Sequence, residues 1–174
     1  MLRLIITGTP GTGKTAVAEE LGRKLQVRVL HLGELAEHAI CGYDEARETH
    51  EVDLELLQKA VERHLTGGVI LEGHLAHLLR IEKAIVVVLR CSPEELEHRL
   101  KSRGYSESKI RENLEAEALD VCLTESVERY GEVYEIDTTR RSVRETARCV
   151  LEILEGGGKR YLPGRIDWSE EFFR

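Results

Sequence analysis

Apolar positions along the chain fall into two rhythms. Short apolar runs, at Leu2 to Thr7, Val27 to Leu32, Val69 to Leu71, Ala84 to Leu89 and Val133 to Ile136, have the length and β-branched content of buried parallel strands. Helix-length segments lie between them, and in the first, Lys14 to Leu25, the residues Ala16, Val17, Leu21 and Leu25 recur at helical spacing. The pattern predicts a short helix over Glu34 to Ala39, one from Leu54 to Leu65 closed by Gly67 and Gly68, and one from Pro93 to Lys101 with proline at its start. A single long charged helix is expected from Glu107 to about Arg129, whereas Gly42 to Val52 is a polar stretch without a period. Strands alternating with helices predict an α/β fold with a five-stranded parallel sheet flanked by helices. A length of 174 residues suits one core, and there is no internal repeat.

From Gly156-Gly157-Gly158 onward the composition changes. The only tryptophan, Trp168, and the only two phenylalanines, Phe172 and Phe173, lie there, so residues 1–155 must build an aliphatic core and residues 156–174 form a distinct aromatic tail. Such a tail either folds back over an apolar patch or serves as a docking segment whose aromatic side chains anchor a partner. A net charge of -7 argues against general adhesion to DNA, RNA or anionic membranes, and no stretch approaches the ~20 apolar residues of a membrane span. The expectation is a cytoplasmic protein with no membrane and no direct DNA partner. The four cysteines, Cys41, Cys91, Cys122 and Cys149, form no C-x-x-C pair and read as reduced, small buried thiols.

The chemistry is concentrated after the first strand. Gly8-Thr9-Pro10-Gly11-Thr12-Gly13-Lys14-Thr15 fits G-x-x-x-x-G-K-[ST] at every fixed position, directly between a strand and a helix. That is a P-loop NTPase pattern. Glycines clear the way for backbone N–H groups to converge on phosphates, and the dipole of the helix that follows, from Lys14 and Thr15 to Ala16 and beyond, adds to the field. Lys14 is expected to reach the β and γ phosphates of ATP, and Thr15 to ligate Mg²⁺.

A second constellation is Val69-Ile70-Leu71-Glu72-Gly73-His74, an apolar strand ending in a carboxylate at the sheet edge where such folds bind nucleotide. Glu72 could hold a Mg²⁺-bound water or orient the acceptor phosphate; alternatively it is a capping carboxylate. His74 could position a water or bind substrate, and His77 reads as an ordinary surface or helix histidine. Arg99 and Arg103 sit at and beyond a helix end before Gly104, as arginines closing over transferred phosphate would, or as cations complementing a helix C-terminus. Lys109 and Arg111 could assist them or simply lie solvated. Arg140 and Arg141 follow the fifth strand and could pack on the adenine ring.

Together the P-loop residues, Gly33-Glu34-Leu35, Gly42-Tyr43-Asp44, Glu72 with His74, and Arg103-Gly104-Tyr105 followed by Lys109 and Asn113 resemble the adenylate kinase family. Within it they are most similar to the archaeal and nuclear isoenzyme-six branch, over most of residues 1–155. The resemblance implies a nucleoside monophosphate kinase converting ATP and AMP to two ADP, with ATPase activity. It further implies an NMP-binding region near residues 31–54, a short lid near 102–112, AMP or another NMP as acceptor, and a role in small ribosomal subunit assembly. In that role the implied partner is a small-subunit ribosomal platform protein of the S-eleven group. Adenylate kinases carry Asp-Gly-Phe-Pro-Arg after strand three, where this chain has Glu72-Gly-His-Leu-Ala, and no arginine stands between Glu34 and Ile40. Arg47 and Arg80 are then the candidates for gripping the acceptor phosphate. The alternatives are a nucleotide-switched ribosome assembly ATPase whose kinase activity is incidental and a P-loop kinase for another small molecule, and a GTPase switch is disfavoured because no N-K-x-D run is present.

Overall fold

A computed structural model describes residues 1–45 and 49–172. Five parallel strands form one sheet: β1 (Arg3–Thr7), β2 (Arg28–His31), β5 (Val69–Glu72), β6 (Ile85–Arg90) and β7 (Val133–Asp137), in the order β2-β5-β1-β6-β7. The strand β1 is therefore central, with Ile5 opposite Leu71 on one side and Val86 on the other. The apolar runs are sorted by the two-residue alternation of a strand. Leu4, Ile6, Ile70, Val87 and Leu89 face one way, onto α1 (Lys14–Leu25) and α7 (Val143–Glu152). Ile5, Leu71, Val86 and Val88 face the other, onto α3 (Leu54–Glu62) and α6 (Val121–Arg129).

Three segments differ from the sequence expectation. After β2 come the short α2 (Leu32–Ala36) and a 3-10 turn over Glu37–Ala39, and then the polar stretch pairs with itself as an antiparallel hairpin, β3 (Ile40–Asp44) with β4 (Thr49–Val52). The hairpin stands apart from the main sheet and its side chains are half-buried or exposed, so it leaves no apolar alternation to read. The expected long helix is two: α5 (Glu107–Ala118) and α6, separated at Asp120, whose φ of 56° is left-handed. Asp tolerates that conformation better than most residues, and here its carboxylate pairs with buried Arg90. The helices α4 (Pro93–Ser102) and α5 close a third apolar cluster of Cys91, Leu96, Leu100, Ile110 and Leu114.

The tail folds back onto its own domain. Gly156, at φ 93°, breaks the last turn after α7, and Tyr161 enters the core beside Val150 and Ile153. The N–H groups of Arg165 and Ile166 donate to Glu135 on β7, and Phe172, ending the short α8 (Ser169–Phe172), packs on the third cluster. Phe173 lies outside the described residues. All four cysteines are free, but they are not uniformly buried: Cys91 is, Cys122 and Cys149 are half-buried, and Cys41 on the hairpin is exposed. Among the described residues no helix is long and apolar enough to cross a membrane.

Candidate nucleotide site

The loop between β1 and α1 is built from the backbone outward. Gly8, at φ 136°, runs so close to β6 that a Cβ would stand 2.3 Å from the Leu89 carbonyl oxygen. Gly13, at φ 94°, has open space around it, so it is required by its left-handed conformation, not by packing. Among the described residues no side chain caps α1, and no acidic residue sits in its first turn. Its first N–H groups therefore point at the loop with their field uncompensated, which is the arrangement that attracts an anion.

Lys14 is buried and its Nζ donates to the Thr9 carbonyl at 2.9 Å; that carbonyl also accepts the Thr12 hydroxyl at 2.9 Å. Burial lowers the Lys14 pKa to about 8, despite the opposing charges of Glu72 and Glu117, while the charge of Arg103 lowers it further. A bound phosphate would raise it again. We therefore expect ATP affinity to be flat below about pH 8 and to weaken up to tenfold per unit above it, as binding must recharge the amine. Calorimetry at pH 8.5 to 9.5, in buffers of different ionisation enthalpy, should register proton uptake.

Glu72, at the C-terminal end of β5, is buried and bound on both oxygens. The Thr15 hydroxyl donates to Oε2 at 3.3 Å, and Oε1 meets His31 Nδ1 at 2.8 Å. His31 stands beside it because parallel register pairs His31 of β2 with Glu72 of β5. A hydroxyl and a carboxylate beside the phosphate loop form an oxygen donor set suited to Mg²⁺, which takes one or two protein oxygens and completes its shell with phosphate and water. Among the described residues no group of three or more His, Cys, Asp or Glu could hold a metal by itself.

His74 lies on the rim, its side chain exposed to solvent. Partial desolvation at its base, then the charges of Lys14, His77 and Lys109, lowers its pKa well below the ordinary histidine value, so the ring is neutral. His77 is not a surface histidine. It is buried, with Nδ1 2.8 Å from the Thr7 hydroxyl at the end of β1 and Nε2 2.8 Å from Glu125 of α6. Arg103, exposed at the C-terminus of α4, is near enough to Lys14 to affect its charge, and Lys109 of α5 similarly affects His74. Arg99 instead donates to the Thr138 carbonyl at 3.0 Å and pairs with Glu95. It thus holds the loop after β7, whose Thr138 hydroxyl reaches the Thr12 carbonyl at 3.1 Å. Arg140 is exposed on that loop, and Ala16 is exposed in the first turn of α1.

Of the two candidates for the acceptor phosphate, Arg47 lies outside the described residues. Arg80 lines a groove with Ala84 and Glu132, which precede β6 and β7, and therefore sits toward the opposite end of the sheet from the phosphate loop. His31 escaped the sequence reading because nothing local in the sequence places it beside Glu72.

The family model described as an AAA domain matches residues 4–120. Over 178 residues the chain is 46% identical to a Methanosarcina barkeri protein named "Putative adenylate kinase", covering 95% of this chain and 96% of that one. It is 48% identical over 171 residues to the protein of that name from Archaeoglobus fulgidus, covering 97% and 92%. The chain belongs to the adenylate kinase family. Solved structures share the P-loop NTPase fold at lower identity. Shikimate kinase from Acinetobacter baumannii in complex with shikimate superimposes with TM-score 0.64 at 19% identity, covering 91% of this chain and 96% of that one. The YorR protein of Bacillus subtilis, in complex with phosphorylated GDP, gives TM-score 0.60 at 20% identity, covering 87% and 95%.

Proposed function

We propose that the protein is an ATP-dependent nucleoside monophosphate kinase that transfers the γ-phosphoryl group of ATP to AMP, with hydrolysis of ATP as a slower alternative outcome. The observation that carries this reading is the convergence of Lys14, Thr15 and Glu72 at the C-terminal ends of β1 and β5. Lys14 binds the phosphates. Thr15 and Glu72 would hold Mg²⁺, whose contribution is to neutralise charge on the transferred group. Arg103, at the lid near residues 102–112, approaches as that charge develops. Neutral His74 orients the acceptor or a water by hydrogen bonding. Backbone N–H groups of the loop from Gly11 to Thr15 cradle the donor, with Gly8 giving the close turn before them and Ala16 in the turn behind. Arg99 holds the loop that carries Arg140 beside the adenine. The acceptor enters between the region near residues 31–54 and the sheet.

Coupled assays with ATP as donor, across AMP, other nucleoside monophosphates and shikimate, test the reading; phosphorylation of shikimate in preference to every nucleotide would reject it. Glu72→Gln retains the size of the side chain and removes its charge. Its turnover should fall by about two orders of magnitude with ATP affinity within a few fold of wild type. His31→Ala, which frees Glu72 without discharging it, should cost about tenfold and raise the Mg²⁺ concentration needed for half-maximal rate. A role in small-subunit assembly, in the cytoplasm, rests on the sequence resemblance and is tested separately. An S-eleven-group platform protein should bind more tightly than an unrelated basic ribosomal protein at moderate salt.

A further inference from the structure

A continuous hydrogen-bond chain leads from the phosphate loop to the C-terminal segment. The Thr9 hydroxyl donates to Glu117 Oε2 at 2.5 Å, and Glu117 Oε1 accepts Arg90 Nε at 2.8 Å and the Cys91 N–H at 3.1 Å. Arg90 Nη1 donates to Glu135 Oε2 at 3.1 Å, and Glu135 Oε1 accepts the N–H of Arg165 at 2.6 Å and of Ile166 at 3.2 Å. An apolar path runs beside it. Phe172 packs on the cluster containing Leu96 and Leu100, and those two side chains abut the phosphate loop, where a Cβ on Gly11 would stand 2.8 Å from Leu96 Cδ1. Thr9 and Gly11 therefore each touch a route that ends in residues 165–172.

We propose that Glu117, Arg90 and Glu135 are positioning residues for the phosphate loop and that residues 165–172 are their outer anchor, so that nucleotide occupancy and docking of this segment are coupled. The inference rests on nucleotide binding at this loop. Its physical basis is the position of Thr9, whose carbonyl holds Lys14 while its hydroxyl holds Glu117. A phosphate that draws Lys14 away changes the bonds on the same residue that terminates the chain. Such a buried network is strong and directional in its low-dielectric setting, and it passes a change of arrangement on as a unit. Linkage makes the effect reciprocal: loosening the segment must weaken nucleotide binding by the same factor that nucleotide tightens the segment.

The molecule contains its own reporter, because the sole tryptophan, Trp168, immediately precedes α8 and its indole Nε1 is buried without a hydrogen-bond partner among the described residues. The full-length protein is titrated with a non-hydrolysable ATP analogue and Mg²⁺, following Trp168 emission and calorimetric heat in parallel. The emission change should saturate with the calorimetric Kd. Thr9→Val should raise that Kd about tenfold and abolish the emission change, and Thr9→Ser should restore both. Phe172→Ala, remote from the nucleotide, should raise the KM for ATP about threefold or more while kcat at saturation is retained; a purely structural role would lower Tm and leave KM unchanged. If Thr9→Val does not fold, the wild-type titration and Phe172→Ala decide the matter. Calorimetric binding with silent Trp168 and an unchanged KM in Phe172→Ala overturns the coupling alone, whereas no calorimetric binding overturns the nucleotide reading and the coupling with it.

Discussion

Lys14→Met is expected to lower turnover by about three orders of magnitude while making the nucleotide-free protein more stable by about 1–3 kcal/mol. The two effects have one origin. Lys14 is buried against the loop, and desolvation lowers its pKa from 10.5 to about 8, so its charge is disfavoured in the fold relative to the unfolded chain. Methionine has similar length and no charge to desolvate, and it gives up the bond to the Thr9 carbonyl and the attraction of Glu72 and Glu117, which desolvation outweighs. The pH dependence has a definite sign. Because the folded pKa lies below the unfolded one, the penalty is complete below about pH 8 and is relieved as pH rises from about 8 toward 10.5. The stability advantage of Lys14→Met, measured by urea unfolding, should therefore be constant from pH 6 to 7.5 and shrink steadily above pH 8. A variant less stable than wild type at neutral pH would show that the lysine supports the fold.

Arg90→Met should act in the opposite direction, destabilising the protein by about 3–5 kcal/mol and lowering the urea midpoint by roughly 2 M. Arg90 is almost wholly buried, at 1% exposure, and faces Glu117 and Glu135, whose side chains are 2% and 1% exposed, together with Asp120. Removing the cation leaves two carboxylates desolvated and near one another. Neutralising both as well, in Arg90→Met/Glu117→Gln/Glu135→Gln, should recover much of the loss. Failure of the triple variant to recover would mean that the guanidinium's bond to the Glu117 carbonyl, not charge balance, is what matters.

The elements legible in the sequence are those whose signal is local. Strands β1, β5 and β6 read clearly because burial on both faces demands an unbroken apolar run, and the phosphate loop is contiguous from Gly8 to Thr15. The break at Asp120 was invisible because it carries neither proline nor glycine: the turn is held by a long-range pair to Arg90, 30 residues away in sequence. The hairpin of β3 and β4 buries too little on either face to alternate. Within the site, Thr15 and Glu72 were each legible from their motif, but their meeting depends on the sheet order, as does the placing of His31 against Glu72. His77 looked ordinary for the same reason: its partners Thr7 and Glu125 are 70 and 48 residues distant.

The central place of β1 also bears on how the chain is made. Its two neighbours are β5 and β6, so the pairs Arg3 with Val69 and Leu4 with Ile85 are among the longest-range contacts of the sheet. During synthesis the first strand emerges long before either partner, and the apolar run Leu4-Ile5-Ile6 must wait, unpaired, until β5 has cleared the ribosome, and is flanked on both sides only once β6 has followed. Loop-closure entropy gives it no early alternative. A nascent chain halted before Val69 should therefore be protease-sensitive and a ready client for a chaperone that grips extended apolar segments, and one halted after Asp137 should not.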